Sequence, residues 1–174
     1  MRKLIFIFVL SVNILSSQEI LRIDNSISSI TYYGTHFLHK WDATNNNISG
    51  LIELNDNQVS KIGVVAKVTD FKSGNSNLDS NSYRVLEALR IPNIFFRSSE
   101  IVDSLDLINV SGIISFHDIE KDLNVLLNKS TEKDKISLSG KFLINLSDFN
   151  VERPSLLLQK INNEIEIHIN LIFK

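Results

Sequence analysis

The chain has 174 residues, 43% of them apolar, with 18 Lys and Arg against 20 Asp and Glu and a net charge of −2. That length suits one domain with a core of its own, and a near-neutral balance without a basic run argues against a nucleic-acid partner. With no cysteine, disulfides, thiol catalysis, a lipidated cysteine anchor and Cys-ligated zinc are excluded, so the core alone must hold the fold.

The first residues read as an export signal. Arg2 and Lys3 precede an apolar run from Leu4 to Leu15, followed by small Ser16 and Ser17 and then polar Gln18 and Glu19. This is the order of charge, apolar stretch and small residues that a secretory signal shows. The run falls short of the about 20 residues a spanning helix needs, and Arg2 and Lys3 suit a buried first strand poorly. Cleavage near Ser17 is expected, leaving residues 18–174 as one domain in a periplasmic or secreted location. No later segment is apolar and long enough to span a membrane as a helix.

After this segment the dominant period is two, that of half-buried strands. Residues 19–23 and 28–34 are the first candidates. Ile48, Gly50, Ile52 and Leu54 form one inward set, and Val64, Ala66 and Val68 another. Asn55-Asp56-Asn57 between them reads as a tight turn, since Asn and Asp tolerate positive φ. The polar stretch Ser73-Gly74-Asn75-Ser76-Asn77 then leads to the one break in the pattern. Over Ser80–Arg90, Tyr83, Leu86 and Leu89 recur at three-residue spacing, the stripe of a short helix. Asp79 or Ser80 is placed to cap it, and Pro92 stops it.

Strand alternation resumes at 93–101. Val110, Gly112, Ile114 and Phe116 make the next inward set, residues 123–127 a weaker one, and Ile136, Leu138, Gly140, Phe142 and Ile144 a strong one after the turn Glu132-Lys133-Asp134. After Asn162-Asn163, a last strand alternates Ile165, Ile167, Ile169, Leu171 and Phe173 with a mostly polar face. Many strands joined by short turns predict an all-β, antiparallel meander that closes into a barrel.

Several of these residues carry a resemblance. Gly34-Thr35-His36-Phe37-Leu38-His39-Lys40-Trp41 resembles the G-T-S-x-x-H-x-W opening of one branch of the YceI-like family. Leu78-Asp79 with Tyr83, Leu86 and Leu89, the segment Ile91-Pro92-Asn93-Ile94-Phe95-Phe96, the run from Val110 to Phe116, and Ser147-Asp148-Phe149-Asn150-Val151 followed by Pro154 resemble its later motifs in order. Two turns depart from the family pattern, at His117-Asp118 and at Asn150, where glycine is usual. In both, Asp or Asn replaces it, the residues best able to sit at positive φ. The resemblance implies a lipocalin-like barrel with one short helix near a mouth, holding a long apolar molecule such as a polyisoprenoid.

Chemistry is sparse. His36 and His39 have H-x-x-H spacing, but on one strand residues three apart face opposite sides, so the expectation is no metal site. No nucleophile elbow, H-E-x-x-H, P-loop or dinucleotide fingerprint occurs. Asp148 and Glu152 lie in a turn, where Asp commonly bonds its own backbone. The expectation is therefore a binding protein without catalytic residues or cofactor, its ligand an isoprenoid, quinone or fatty-acid-like lipid. Two other readings stay open: a barrel enzyme acting on such a lipid with His39 or His117 as its acid–base residue, and a filled-core structural or stress-response protein. A homodimer is compatible with either state. Inward residues chosen by alternation as ligand contacts are Ile30, Tyr32, Val64, Ala66, Val68, Phe96, Gly112, Ile114, Phe116, Phe142 and Ile144. Trp41 stands at one end, and Tyr83, Leu86 and Leu89 are expected to face the interior from the helix.

Overall fold

A computed structural model describes residues 18–156 and 158–174; the expected signal segment lies outside the described residues. The strands are β1 (Gln18–Arg22), β2 (Ser29–His36), β3 (His39–Asn45), β4 (Ile48–Asn55), β5 (Gln58–Lys67), β6 (Asn93–Asp103), β7 (Leu107–Phe116), β8 (Ile119–Glu132), β9 (Lys135–Asn145), β10 (Ser155–Leu156), β11 (Gln159–Lys160) and β12 (Glu164–Phe173). Helix α1 (Ser76–Val85) lies between β5 and β6. Ten strands form one antiparallel sheet in the order β1-β4-β5-β6-β7-β8-β9-β12-β2-β3, and β10 pairs only with β11.

The sheet curls until each edge finds a partner on the far side. Beyond β1, Arg22 and Lys174 exchange backbone hydrogen bonds of 2.9 Å in both directions, and Ile23 bridges to Phe173 of β12. At the other edge, Thr44 of β3 exchanges bonds of 2.9 and 3.0 Å with Lys72, beyond β5. Closure satisfies edge groups that would otherwise invite pairing with another chain.

The turns follow from their residues. Between β4 and β5, Asp56 and Asn57 have φ of 50° and 64°, a two-residue hairpin with both residues left-handed. His117 and Asp118 do the same between β7 and β8, at 51° and 59°, and Asn150 sits at 52°. The positions that lack the family's glycine thus hold the left-handed conformation with Asp and Asn. Asn162-Asn163 behaves differently: neither is left-handed. Asn162 donates from its backbone to Thr35 O at 2.9 Å, and Asn163 Oδ1 accepts from Ser147 N at 3.0 Å.

Two β-bulges shift the inward parity. Ser60 is the extra residue in β5, since Glu53 pairs with Lys61 but Leu54 with Val59. Ser99 is the extra residue in β6, where Ser98 pairs with Gly112 and Glu100 with Ser111. Both Val59 and Ile62 can then be buried, and both Phe96 and Ile101 can pack on the core.

Packing divides along the barrel axis. The end carrying the β4–β5 turn and the C-terminus is filled: Phe173, Ile52 and Ile108 are fully buried, with Val110 and Leu138 at 1%. Toward the helix, a second cluster of Ile114, Phe116, Leu146, Phe149, Val151 and Ile165 lines the walls.

The helix differs from its expected span. It starts at Ser76, capped by Asn75, whose Oδ1 accepts from Asn77 N and Leu78 N at 3.1 and 3.2 Å. It ends at Val85, seven residues before Pro92. Glu87 is left-handed, with φ of 49°, and Ala88 N reaches back to Tyr83 O at 2.8 Å. This is a Schellman-like termination made without glycine.

Candidate functional site

The inward faces enclose a cavity of about 530 Å³, within the roughly 300–1,000 Å³ of small-molecule sites. Its floor is the apolar layer of Ile62, Val110, Val125, Leu127, Leu138 and Leu171. The walls are built by register. Tyr32, Ile167 and Phe142 stand side by side across β2, β12 and β9, as do Val64, Phe96 and Ile114 across β5, β6 and β7. Each row presents its side chains inward at one height, because antiparallel partners directly opposite share a face.

The mouth lies at the helix end. Leu78, Asn81, Ser82, Tyr83, Val85 and Leu86 border it from α1 and its C-terminal turn. Val151, Pro154, Ser155 and Ile161 border it from the segment between β9 and β12. His36, His39 and Trp41 border it from the β2–β3 hairpin. The helix is held by Tyr83, whose hydroxyl donates to Phe71 O at 2.7 Å and accepts from Lys72 Nζ at 2.9 Å. The bond to Tyr83 holds the Lys72 ammonium above its usual range. Beneath the helix, Tyr32 Oη donates to Ser82 Oγ at 3.4 Å, and burial pushes the Tyr32 phenol up. Tyr32 is therefore a neutral hydroxyl within an apolar wall.

Of the residues picked by alternation, Ile30, Tyr32, Trp41, Val64, Ala66, Val68, Phe96, Ile114, Phe116, Phe142 and Ile144 border the cavity, as do Tyr83 and Leu86 from the helix. Two do not. Leu89 is fully exposed, because the left-handed Glu87 breaks the helical phase after Val85 and turns Ala88 and Ile91 inward instead. Gly112 lies on the inward face but under Phe96: a Cβ there would sit 2.7 Å from the ring and closer still to Arg97 O. Gly50 and Gly140 are covered likewise by Ile23 and Leu127. These glycines do not leave room for a ligand. They let larger neighbours lie flat on the sheet.

The two histidines at the mouth also differ from expectation. Phe37-Leu38 forms a two-residue turn, so His36 and His39 sit opposite each other on paired strands and share a face. Their ring centroids are 5.7 Å apart, and His39 is 5.7 Å from Trp41. Alternation along a single strand does not apply across a hairpin. His36 is buried, and its Nε2 donates to Gln159 O at 3.2 Å. Among the described residues no third His, Cys, Asp or Glu joins them in a metal-holding group. His117 does not border the cavity; it donates from Nδ1 to Phe149 O at 2.9 Å. Asp148 accepts from Asn145 Nδ2 at 3.3 Å.

Sequence periodicity missed the contributors from irregular segments. Phe71, Val151, Pro154 and Ile161 border the cavity but belong to no alternating run. The apolar character of Val151, Pro154 and Ile161, in a stretch that also holds Leu156, Leu157 and Leu158, was the available signal. No Asp or Glu borders the cavity, and His39 has no carboxylate partner among the described residues.

Fold and cavity together define a lipocalin-like antiparallel barrel with an apolar chamber under a short helix. The model of the YceI-like domain matches residues 21–173, and the chain belongs to that family. BcnA of Burkholderia cenocepacia superposes with a TM-score of 0.78 at 16% identity, over 86% of this chain and 98% of that one. A polyisoprenoid binding domain from Saccharophagus degradans, implicated in plant cell wall breakdown, gives 0.73 at 14% identity, over 88% and 97%. The YCEI protein of Campylobacter jejuni gives 0.56 at 20% identity, over 71% and 81%. No curated protein matches the sequence.

Proposed function

We propose that this protein is an exported carrier that holds a single long apolar molecule, of isoprenoid, quinone or fatty-acid-like type, along the barrel axis. The observation that carries the reading is the chamber of about 530 Å³, walled mostly by aliphatic and aromatic side chains and bordered, among the described residues, by no carboxylate. Each methylene moved from water into such walls contributes about 0.8 kcal/mol. Burial of this kind is non-directional, so chain length and the groups at the mouth govern selectivity. The described polyisoprenoid binding domain of similar fold supports the ligand class. Export is supported by the arrangement of Arg2, Lys3, the apolar run to Leu15 and the small residues after it.

Titration with a fluorescent polyene fatty acid, followed by displacement with prenyl alcohols of increasing length, tests the carrier reading. Saturable binding at one site, strengthening with chain length, is expected. Affinity independent of chain length would overturn it. Mass spectrometry of the protein recovered from its host tests export: loss of the segment up to about Ser17 is expected, and a full-length cytoplasmic protein would contradict it.

A further inference from the structure

We infer that the mouth of the barrel docks on the surface of an anionic lipid bilayer through the tips of its turns. Phe37 and Leu38, at the tip of the β2–β3 hairpin, are 59% and 53% exposed. Leu158, at the tip of the β10–β11 hairpin, is wholly exposed and left-handed, with φ of 66°. The two hairpins lie side by side. Asn162 N donates to Thr35 O at 2.9 Å and His36 Nε2 to Gln159 O at 3.2 Å.

Large apolar side chains are exposed singly elsewhere too, as at Leu105 (89%) and Leu126 (60%). Here such side chains stand on the turns that rim the opening of an apolar chamber. Their charge surroundings match one occupant. The hairpins at residues 35–41 and 153–161 carry Lys40, Arg153 and Lys160, with Asp42 and Glu152 just outside them, so the tips are net basic in a chain that is acidic as a whole. Leu, Phe and Trp flanked by Lys and Arg is the composition that binds a bilayer interface, the apolar groups entering the acyl boundary and the cations facing anionic headgroups. A protein partner fits less well. The exposed apolar side chains stand on the tips of separate turns rather than on one broad face, whereas a stable interface takes about 800 Å² from each side.

The purpose of this docking rests on the carrier reading, since an apolar chain leaving a bilayer for the chamber passes this mouth. The docking itself can be tested apart from it. The test is co-sedimentation with vesicles of phosphatidylcholine and phosphatidylglycerol, in the wild type, in the variant F37S/L38S/L158S and in K40E/K160E. The substituted side chains are exposed, so both variants should unfold at the wild-type urea concentration. The wild type is expected to partition onto the vesicles, with a loss of at least about tenfold in the triple serine variant from the lost apolar area. The charge variant should bind phosphatidylcholine alone as the wild type does and lose its preference for phosphatidylglycerol. Both variants should still bind a soluble fluorescent fatty acid. Wild type that stays in the supernatant, or a triple variant that sediments equally, would overturn the inference. So would a wild type that dimerises in solution through these tips while ignoring vesicles. An Ala66→Phe variant that loses the fatty acid but still sediments would show that docking stands even where the carrier function is blocked.

Discussion

Ala66→Phe separates ligand binding from folding. Ala66 lies on the inward face of β5, between Ile48 of β4 and Ile94 of β6, and borders the chamber. Ala66 also packs in a cluster with Ala43 and Phe71, and a phenyl ring added there is expected to extend past them into the chamber. It takes the place of about four methylenes of a bound chain, so that at about 0.8 kcal/mol each the affinity falls by about 3 kcal/mol, or about 200-fold. Adding bulk to a packed core costs about 1–3 kcal/mol, but a ring that enters an apolar chamber gains contacts instead. Stability in the absence of ligand should therefore hold or rise while binding collapses. Titration with a fluorescent polyene fatty acid reads the first effect, and urea unfolding the second. An unchanged affinity in a variant that unfolds at the wild-type urea concentration would mean that the ligand lies elsewhere. A variant that loses stability would mean that the space beside Ala66 is too small to receive a chain.

Gly112→Ala should behave in the opposite way, because its Cβ would collide with Arg97 O and with the Phe96 ring; a loss of about 1–3 kcal/mol in urea unfolding is expected. Leu89→Ser should change stability by no more than about 0.5 kcal/mol. Leu86→Asp, three residues earlier and packed against the upper core, should cost about 2 kcal/mol or more in the same assay and weaken fatty-acid binding. Acid should loosen the joint between the chain ends. The Lys174 ammonium, with the hydroxyl and backbone of Ser26, holds the Asp24 carboxyl down from 3.8 to about 2. A depressed folded-state value adds stability that is complete above the unfolded value and disappears as pH falls through the folded one. The urea midpoint should thus drop between about pH 4 and pH 2, and Asp24→Asn should lower it at neutral pH and flatten this part of the profile.

Alternation alone located most of the chamber wall, because a strand with one buried face repeats its chemistry at every second residue. Phe142 and Ile144 on β9 border the cavity as expected, and so do Ile165, Ile167, Ile169 and Leu171 on β12, which the sequence marked as one apolar face without choosing them as contacts. What periodicity could not reach has a physical reason in each case. The register across the Phe37-Leu38 turn, which brings His36 and His39 together, depends on hairpin geometry rather than on spacing along one strand. The helix ends at a left-handed Glu87, a residue that gives no such warning, and Leu89 loses its phase as a result. The inward glycines looked like free volume. Whether Phe96 or a ligand occupies the space above Gly112 is decided by tertiary packing, on which the local pattern is silent. The ends of the chamber come from loops, whose residues follow contact and not period.

The central claim is that the chamber carries an apolar chain in the living cell. Native mass spectrometry of the protein purified from its own host, without detergent, addresses it most directly. A mass increment that survives gentle ionisation, is released by organic extraction as a long apolar molecule, and is absent from Ala66→Phe purified in parallel is the result this account predicts. An unliganded mass in the wild type, or the same increment in Ala66→Phe, would contradict it.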